Sequence, residues 1–426
     1  MKTLEPHNEN TKPSATREIN ENSNIWDNSG FRSYIQSTGF SGMAFSMHQL
    51  LISWLLIGVL QLSADDVGIL QALMGLPGIA LMLWGGASAD RADPKQLLIR
   101  VYGIAPLMPL FLIIVHQSIG VAVWSVALWG LGMSIIISFS QPSQQAILNQ
   151  VSGNQIQKGV SAATAIGFLV QITGLLLAGQ METLGLTIIL IAQGTCFVLG
   201  VYTVIHIRVK ATRAVPSSGS TIDAVSAGLK VIYQHKDIFH VLSINFVSSI
   251  FNAGAFITVF PFIIKRVYDG DAMILATMMA VFYAGATASN LLMYKLMPFV
   301  RPGRLFLIMQ LTRMIILLLL WTKPDWWLLI TVIFAWGVNM GFTTTLARTI
   351  VQESAAPEFR GRVMSVFTLG MMGSAPIGAI VLGTIIEWFG TLNALLPAIV
   401  LSVILCLIGM IFTGLWSYQS PLSSRE

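Results

Sequence analysis

The chain has 426 residues, of which 54% are hydrophobic and only 10% are charged, whereas about 25% of the residues of soluble domains are charged. This composition excludes an ordinary soluble enzyme or binding domain and is typical of a protein that crosses a membrane many times. The net charge of +5 does not indicate nucleic-acid binding, because the basic residues concentrate in loops on one side of the membrane. We therefore expect no nucleic-acid partner.

The apolar segments predict an all-α integral membrane protein with twelve transmembrane helices in two six-helix bundles. Residues 1–30 have no apolar run and are rich in Asn, Glu, Ser and Thr, so we expect a disordered cytoplasmic tail rather than a signal peptide. We assign 31–208 to the N-terminal bundle, 209–237 to a cytoplasmic linker, 238–417 to the C-terminal bundle and 418–426 to a second cytoplasmic tail. The predicted spans 1 to 12 are about 33–60, 66–88, 95–116, 120–141, 158–181, 185–207, 238–264, 271–297, 303–321, 326–347, 361–386 and 391–416.

The distribution of Lys and Arg predicts the orientation of the chain. Of the 24 Lys and Arg residues, 20 fall in the tails and in the loops on the same side as the tails. Lys265, Arg266 and Lys323 fall on the opposite side, and Arg313 lies within span 9. Because basic residues accumulate in cytoplasmic loops, both termini are expected in the cytoplasm.

Span 1 carries an ionisable residue, His48, near its middle, and Gln49 follows it. An ionisable group at that depth is costly and by default suggests a function. Because histidine titrates near neutral pH, His48 is our candidate for proton coupling. The alternative is a neutral histidine that hydrogen-bonds to a neighbouring helix. No Asp or Glu falls at the centre of a predicted span, so a peripheral carboxylate is the other candidate proton acceptor.

The run from Gly85 to Lys95 lies between spans 2 and 3 and predicts a turn between two membrane helices. Within it, Gly86 is followed four residues later by Asp90-Arg91 and then by Lys95. This spacing resembles the loop motif of the major facilitator superfamily, and the resemblance extends over nearly the full chain. It implies the major facilitator fold. It also implies a gating role, in which the Asp pairs with the start of span 11 in one conformation and releases it in another.

The partners of Asp90 are expected at the start of span 11, where Arg360 and Arg362 lie. A carboxylate near a helix N-terminus is also stabilised by the helix dipole. The alternative is a solvated turn that only fixes the topology. The predicted gating group comprises Gly86, Asp90, Arg91, Lys95, Arg360 and Arg362.

Residues 357–365, with the sequence PEFRGRVMS, and the later Gly373, Pro376 and Gly378 narrow the resemblance. They resemble the branch that includes the bacterial enterobactin exporter and macrolide efflux proteins. Resemblance to that branch implies a multi-pass protein of the bacterial inner membrane that exports bulky amphipathic compounds. It also implies that the proton gradient drives export.

The linker contains a segment, 222–236, whose apolar residues recur at helical spacing. This pattern predicts an amphipathic helix that lies on the inner leaflet of the membrane. Its expected role is that of a linker with a membrane anchor. The apolar stripe consists of Ile222, Val225, Leu229, Ile232 and Tyr233.

The two halves of the chain carry a weak internal repeat at an offset of about 204 residues. In each half, two glycines five residues apart are followed by a Glu and then by a further Gly. Such repetition is expected of a two-bundle secondary transporter, whose substrate site lies between the bundles near the midplane. The repeated residues are Gly174, Gly179, Glu182 and Gly185 in the first half and Gly378, Gly383, Glu387 and Gly390 in the second.

Uncharged polar residues within the spans are assigned to the substrate cavity. Asn245 and Asn252 are seven residues apart and therefore share one face of span 7, which corresponds to span 1 in the other half. Hydrogen bonding between helices is the alternative for each residue taken singly. The predicted substrate-binding residues are His48, Gln49, Gln171, Asn245, Asn252 and Asn339.

Arg313 is a basic residue that lies near the middle of predicted span 9. It could face an anionic substrate. Span 9 is peripheral in the fold that the resemblance implies, so a structural or snorkelling role is favoured.

Signals of enzymatic activity are absent from the sequence. There is no GxxxxGK(S/T) phosphate loop, no metal-ligand spacing and no assembled hydrolase triad, so we expect no enzyme, no metal and no other cofactor. Cys196 and Cys406 lie in apolar segments and are expected to pack in the interior rather than form a disulfide.

The sequence thus predicts a secondary active transporter that exports an amphipathic small molecule, such as a drug, siderophore or similar metabolite, by proton-coupled alternating access. Its expected partners are that substrate, protons and membrane lipid, and a monomer is expected. Three alternatives stay open. They are a transporter of lysophospholipid or another lipid, a nutrient uptake symporter, and a non-transporting membrane sensor.

Overall fold

The computed structural model describes residues 25–91, 93–208, 221–297, 299–356 and 359–420. These ranges contain helices and no strands, and twelve of their helices are long and apolar enough to cross a membrane. The predicted all-α class is therefore confirmed. Spans 1 to 12 are Ser29–Val59, Ala64–Leu81, Pro94–Ile119, Val123–Ser152, Lys158–Gly179, Leu186–Ile205, Ile238–Val267, Ala272–Leu296, Pro302–Trp321, Trp326–Ser354, Arg360–Phe389 and Asn393–Ile411.

Spans 1–6 and spans 7–12 form two bundles. In the first bundle, span 1 packs against spans 5 and 6, and span 2 packs against span 4. In the second bundle, span 7 packs against spans 10, 11 and 12, and span 8 packs against span 10. The bundles meet along two seams, where span 2 contacts span 11 and span 5 contacts span 8. The candidate site lies between these seams.

We name the two ends of the bundles by the position of the chain ends. Because the number of spans is even, residues 25 and 420 lie on the same side, which we call the terminal side; the other is the far side. Asn28 begins span 1 on the terminal side, where its side chain accepts from the Gly30 N–H at 2.9 Å and donates to the Val151 carbonyl at 2.7 Å. The second bond ties the start of span 1 to the end of span 4.

The turn predicted from Gly85 to Lys95 is shorter than expected. The helix of span 2 continues to Arg91, and span 3 begins at Pro94. Asp93 starts the next helix early, because its side chain accepts a hydrogen bond from the Lys95 N–H at 2.9 Å and so caps the helix. Pro94 has a fixed φ that suits the first turn of a helix.

Spans 1 and 7, which correspond in the two halves, contain π-helical turns. These turns lie at Leu55–Val59 in span 1 and at Ala255–Val259 and Ile263–Val267 in span 7. A π turn is a local widening of the helix and is frequent at functional sites. All three turns lie in the far-side half of their spans.

The linker contains a helix, Thr221–Gln234, which packs against spans 2, 7 and 11. Val231 and Ile232 are buried, whereas Leu229 and Tyr233 are 41% and 72% exposed. Ile232 of the predicted stripe therefore packs against the bundles, whereas Leu229 and Tyr233 of the same stripe point outward. Contact of this helix with the inner leaflet stays a prediction. The side chains of the other two residues of the predicted stripe lie outside the described part of the structure.

Candidate substrate cavity between the bundles

A cavity of about 640 Å³ lies beside span 1, between the two bundles. It extends from Phe256 at the middle of the spans to Tyr34 and Leu148 towards the terminal side. Gln145 of span 4 and Thr164 of span 5 also line it and are exposed, so the cavity reaches the surface on that side. The amide and imidazole side chains in its lining are His48, Gln49, Gln141, Gln144, Gln145 and Gln171.

A second cavity, of about 190 Å³, adjoins the first on the side of the C-terminal bundle. The two cavities share a wall, because Gln49, Phe256 and Ile257 line both of them. Aromatic rings form part of the shared wall, where Phe256 stacks on Phe282 with 4.1 Å between ring centroids. Among the described residues, neither lining contains Asp or Glu.

Gln49 joins the two bundles near the middle of the spans. Its Nε2 donates to the Tyr283 hydroxyl of span 8 at 2.9 Å, and its Oε1 accepts from Gln171 Nε2 of span 5 at 3.3 Å. On the far side of this bridge, the Thr258 hydroxyl of span 7 donates to Gln71 Oε1 of span 2 at 2.7 Å. Such hydrogen bonds contribute about 0.5–1.5 kcal/mol each. The Gln49–Tyr283 and Thr258–Gln71 bonds connect the two bundles from mid-span outward, whereas the bond from Gln171 orients Gln49 within its own bundle.

His48 lines the larger cavity and is 9% exposed. Its ring lies edge-on to Trp129 of span 4, with 4.4 Å between ring centroids. Among the described residues no hydrogen-bond partner is present for its buried Nδ1. The ring is therefore held by packing and is adjacent to the cavity, so a ligand or water can reach it from there.

The predicted asparagines occupy two different environments. Asn245 and Asn252 line the smaller cavity. Asn252 Oδ1 accepts from Trp336 Nε1 at 2.8 Å, and Asn245 Nδ2 donates to Met371 Sδ at 3.0 Å. Asn339 is in neither lining, so the structure separates it from the other predicted substrate residues.

Arg313 lies inside the C-terminal bundle, and only 3% of it is exposed. Its Nε donates to Asn339 Oδ1 and its Nη2 to the Thr343 hydroxyl, both at 3.2 Å. Its Nη1 donates to Gln310 Oε1 at 3.2 Å and to the Ser248 hydroxyl. The snorkelling role is wrong, because the guanidinium is held within the bundle and lines the smaller cavity. Its mid-span position was the signal for a site residue.

Tyr283 is a further site residue, which the sequence analysis did not assign to the cavity. It lies in span 8 and lines the smaller cavity, where its hydroxyl meets Gln49 of the other bundle. A tyrosine within an apolar span needs a partner for its hydroxyl, and this requirement was the available signal.

The residues of the predicted gating group are only partly described. Gly86, Asp90 and Arg91 lie in the last turns of the span 2 helix, where the side chains from residue 82 onward are outside the described part of the structure. Lys95 Nζ donates to the carbonyls of Ile205 and Ile207, both at 2.8 Å. It therefore caps the end of span 6 within its own bundle.

The two arginines of the same group also make local contacts. Arg360 Nε donates to the Ala355 carbonyl at 3.2 Å, and the Arg362 guanidinium lies 5.7 Å from the centre of the Phe359 ring. Pairing between these arginines and Asp90 stays a prediction.

Close packing at the two seams closes the far side. At one seam, a Cβ added to Gly179 of span 5 would lie 2.7 Å from the Ala276 Cβ of span 8. At the other, a Cβ added to Gly383 of span 11 would overlap the Ala64 carbonyl oxygen of span 2. Glycine is therefore required at both positions for the helices to approach this closely.

Two glutamates join the bundles beyond these glycines. Glu182, which follows span 5, accepts from the Ala272 N–H at the start of span 8 at 3.3 Å. Glu387, near the end of span 11, accepts from the Ala64 N–H at the start of span 2 at 3.2 Å and lies 4.0 Å from Arg266. Each carboxylate thus lies at the N-terminus of a helix in the opposite bundle, where the helix dipole favours negative charge. We call these two contacts the glutamate clasps.

The internal repeat of the sequence corresponds to these contacts. The first glycine of each half, Gly174 or Gly378, packs within its own bundle, against span 1 or span 7 respectively. The second glycine and the glutamate contact the opposite bundle. The last glycines, Gly185 and Gly390, have φ of 88° and 89°, a conformation that favours glycine. The two halves therefore close on each other through equivalent residues.

No cluster suited to a metal ion is present in the part of the chain that the structure describes. Cys196 and Cys406 are both free and buried, which agrees with the expectation that they pack in the interior.

The comparisons with known proteins agree on the type of protein. The sequence profile of the family described as transmembrane secretion effector matches residues 26–423. No curated protein matches the sequence of the chain. A variant of the nucleoside transporter NupG has a similar structure, with a TM-score of 0.73, 15% identity, and coverage of 91% of this chain and 99% of that chain.

Two further solved structures show the same fold. One is a bacterial homologue of the human lysosomal transporter Spinster in an inward-facing and unoccupied conformation, with a TM-score of 0.70, 12% identity, and coverage of 91% and 98%. The other, from work on proton-dependent oligopeptide transporters, has a TM-score of 0.68, 10% identity, and coverage of 91% and 98%. At these identities the similarity shows the fold alone.

The resemblance to the major facilitator superfamily is thereby confirmed, whereas the narrower branch of enterobactin and macrolide exporters stays a prediction. The profile begins before span 1 and ends beyond span 12, so it includes both bundles and both cavities. The chain is a transporter of the major facilitator type, and it belongs to the transmembrane secretion effector family.

Proposed function

We propose that this protein is a secondary active transporter that exports an amphipathic small molecule, such as a drug, siderophore or similar metabolite, in exchange for protons. The observation that carries the proposal is the pair of adjoining cavities between the bundles. They reach the surface on the terminal side, and hydrogen bonds, close packing and the glutamate clasps close the far side. Access from one side at a time is the property on which alternating access depends.

The distribution of charge supports an inward-facing assignment for this conformation. With 20 of the 24 Lys and Arg residues on the terminal side, that side faces the cytoplasm of a bacterium whose inner membrane holds the protein. A molecule in the cytoplasm or the inner leaflet then has access to the larger cavity. Separation of the two seams would release it on the other side.

The chemistry of the cavity walls supports an amphipathic substrate. Five glutamine side chains line the larger cavity, and the rings of Phe256 and Phe282 are part of the lining of the smaller one. Pockets that combine apolar walls with a few polar groups bury most of a drug-sized ligand and fix its orientation. The larger cavity, at about 640 Å³, is within the usual size range of such pockets.

Proton coupling is assigned to His48. The described residues that line the two cavities include one histidine, His48. Histidine is the side chain that ordinarily titrates in the physiological range. The buried Nδ1 of His48 has no partner among the described residues, so a proton taken up there would need a hydrogen-bond acceptor from water or substrate in the cavity. A protonated His48 would change the charge of the cavity and thereby the affinity for substrate.

The test measures the accumulation of fluorescent amphipathic dyes in energised cells with and without the protein. Export predicts lower accumulation in cells that contain the protein, and a protonophore should abolish the difference. His48→Ala should also abolish it. His116→Ala is the matched control, because that histidine is at the far end of span 3 and lines neither cavity.

Equal accumulation in cells with and without the protein would contradict the export of broadly amphipathic compounds. In that case, altered lysophospholipid pools would favour lipid transport, and loss of growth on one nutrient would favour uptake.

A further inference from the structure

Arg313 places a positive charge deep in the C-terminal bundle, beside the smaller cavity. We propose that Arg313 binds an anionic group, a carboxylate or a phosphate, of the transported molecule, so that the substrate is an anionic amphiphile. This inference rests on the proposed transport function, and it names the substrate class for the same site.

The charge of Arg313 has no opposite charge beside it in the described part of the structure. Its four hydrogen-bond partners, which belong to spans 7, 9 and 10, are all uncharged amides or hydroxyls. Within the described residues, the Arg266–Glu387 ion pair is at the far side, away from Arg313. Buried charges in proteins are normally paired, and an ionisable residue within a membrane span suggests a function. An anionic ligand would supply the missing charge.

The guanidinium also retains a hydrogen-bond donor. A guanidinium has five N–H groups, and the four hydrogen bonds of Arg313 use the one on Nε, both on Nη1 and one of the two on Nη2. One Nη2–H is therefore available to a ligand. Because Arg313 is part of the lining of the smaller cavity, a group in that cavity can approach it.

Two further donors of the same cavity are bonded to a weak acceptor. Asn245 Nδ2 and the Ser249 hydroxyl donate to Met371 Sδ at 3.0 and 3.3 Å, and a thioether sulfur accepts hydrogen bonds only weakly. Both residues line the cavity together with Arg313. An anionic oxygen would be a better acceptor for both. An anion in this cavity would therefore meet one positive charge and two hydrogen-bond donors that can turn to it from the sulfur.

The adjoining aromatic wall suits the apolar part of such a molecule. Phe256, Phe282 and Tyr283 line the smaller cavity, and Phe256 also lines the larger one. The anionic group would bind at Arg313, and the apolar body would extend past Gln49 into the larger cavity. A substrate with both parts uses both cavities at once.

The test measures ligand binding to the full-length protein in nanodiscs of neutral phosphatidylcholine, without transport. The probes are a dansyl-labelled fatty acid and its neutral methyl ester. We expect the acid to bind at least tenfold more tightly than the ester. Arg313→Gln should remove that preference, and Arg313→Lys should retain part of it. Arg304→Gln is the matched control, since Arg304 is exposed near the terminal end of the same span.

A second variant covers the case in which Arg313→Gln does not fold. Ser249→Phe would fill the smaller cavity and leave the four hydrogen bonds of Arg313 in place, and it should weaken binding of the acid at least tenfold. Equal binding of acid and ester to the wild type would overturn the proposal. So would a preference for the acid that survives in Arg313→Gln, which is the result expected if Arg313 only links helices.

The source of the anion is identified by competition. Displacement of the labelled acid by lysophosphatidylglycerol supports a lipid headgroup as ligand, and displacement by short-chain carboxylates alone supports a soluble metabolite; either result supports the anion site. Failure of the proposed function has a different signature. A preference for the acid in nanodiscs without export from cells would refute export and leave the site standing, whereas export without that preference would refute the site alone.

Discussion

Replacement of Gly179 by alanine should shift the protein towards the conformation that is open on the far side. Gly179 lies at the seam between spans 5 and 8, where an added Cβ would be 2.7 Å from the Ala276 Cβ and 3.2 Å from the Met273 Cα. Ordinary van der Waals contact begins at 3.4 Å, so the two methyl carbons would be too close by about 0.7 Å. The two spans must separate to accommodate the methyl group.

The size of the shift follows from the cost of overpacking. Adding a methyl group to a well-packed contact costs about 1–3 kcal/mol. The cost falls on the far-side-closed conformation, because the two spans would be separated at this seam in a conformation that is open on the far side. The ratio of open to closed protein should therefore rise by a factor of about 5–150.

Double electron–electron resonance can measure this ratio. Spin labels at Gln117→Cys and Thr322→Cys would report the far-side distance between the bundles, in a background without the two native cysteines. Gly179→Ala should increase the population at the longer distance. Gly167→Ala is the matched control, because it adds a methyl group to the same span at a position with no atom of another helix within 4 Å.

Ala276→Gly provides a rescue, since it removes the atom that the new methyl group would overlap. The double variant Gly179→Ala/Ala276→Gly should return the distance distribution towards that of the wild type. The reasoning would be refuted if Gly179→Ala gave the same distribution as Gly167→Ala, or if the second substitution failed to reverse its effect.

Four further substitutions test three other kinds of contact. Glu182→Gln or Glu387→Gln should open the far side less than Gly179→Ala does, because a carboxylate at an exposed helix N-terminus contributes about 0.3–1 kcal/mol; the same spin labels measure it. Tyr283→Phe removes the hydroxyl that bridges to Gln49, and a loss of about 1 kcal/mol should raise the open fraction roughly fivefold. Lys95→Met leaves the carbonyls at the end of span 6 without their charged donor, at a cost of about 1.5 kcal/mol, and should lower the thermal unfolding temperature of the detergent-solubilised protein.

Each of these changes has a control on the protein surface. Asp325→Asn removes a far-side carboxylate that makes no capping hydrogen bond, so it should not open the far side. Tyr294→Phe alters a tyrosine that is 81% exposed, and Lys295→Met alters an exposed lysine. An effect of a control as large as that of its test variant would contradict the corresponding assignment.

The fold could be predicted from the sequence because lipid restricts the options. A chain within the hydrocarbon layer must satisfy its backbone hydrogen bonds internally, so each long apolar run becomes a helix. Span 9, predicted at 303–321, is found at Pro302–Trp321. The turn after span 2 is not predictable from hydropathy. Its length depends on Asp93, whose side chain caps the next helix and so lets that helix begin at Pro94. A helix can continue through small and polar residues until a capping group starts the next one.

The site could be predicted only in part, because the sequence gives the depth of a residue but not its neighbours. The sequence places His48, Gln49 and Asn252 at mid-span depth, and the structure finds all three in cavity linings. Asn339 has a similar depth, yet it lies behind Arg313 and donates to the Met309 carbonyl at 2.8 Å. The side of a helix that faces the cavity is decided by packing between spans that are distant in the chain.

The repeated glutamates show the same limit. The sequence shows that Glu182 and Glu387 correspond in the two halves, but it does not show that each contacts the opposite bundle. The bond from the Ala64 N–H to Glu387 joins residues 323 positions apart. No local pattern contains that information.

The two glutamate clasps lie at different seams, and in the proposed transport cycle this arrangement would determine how the bundles separate. If both clasps release together, the bundles separate evenly and the cavity opens towards the water. If only the one at Glu387 is lost, the contact at Glu182 becomes a hinge, and spans 2 and 11 separate first. The resulting gap would face the acyl chains of the leaflet on the far side. A single substitution at one seam would then let molecules dissolved in the bilayer enter from the side, and a carrier that releases its cargo into water would begin to exchange it with lipid.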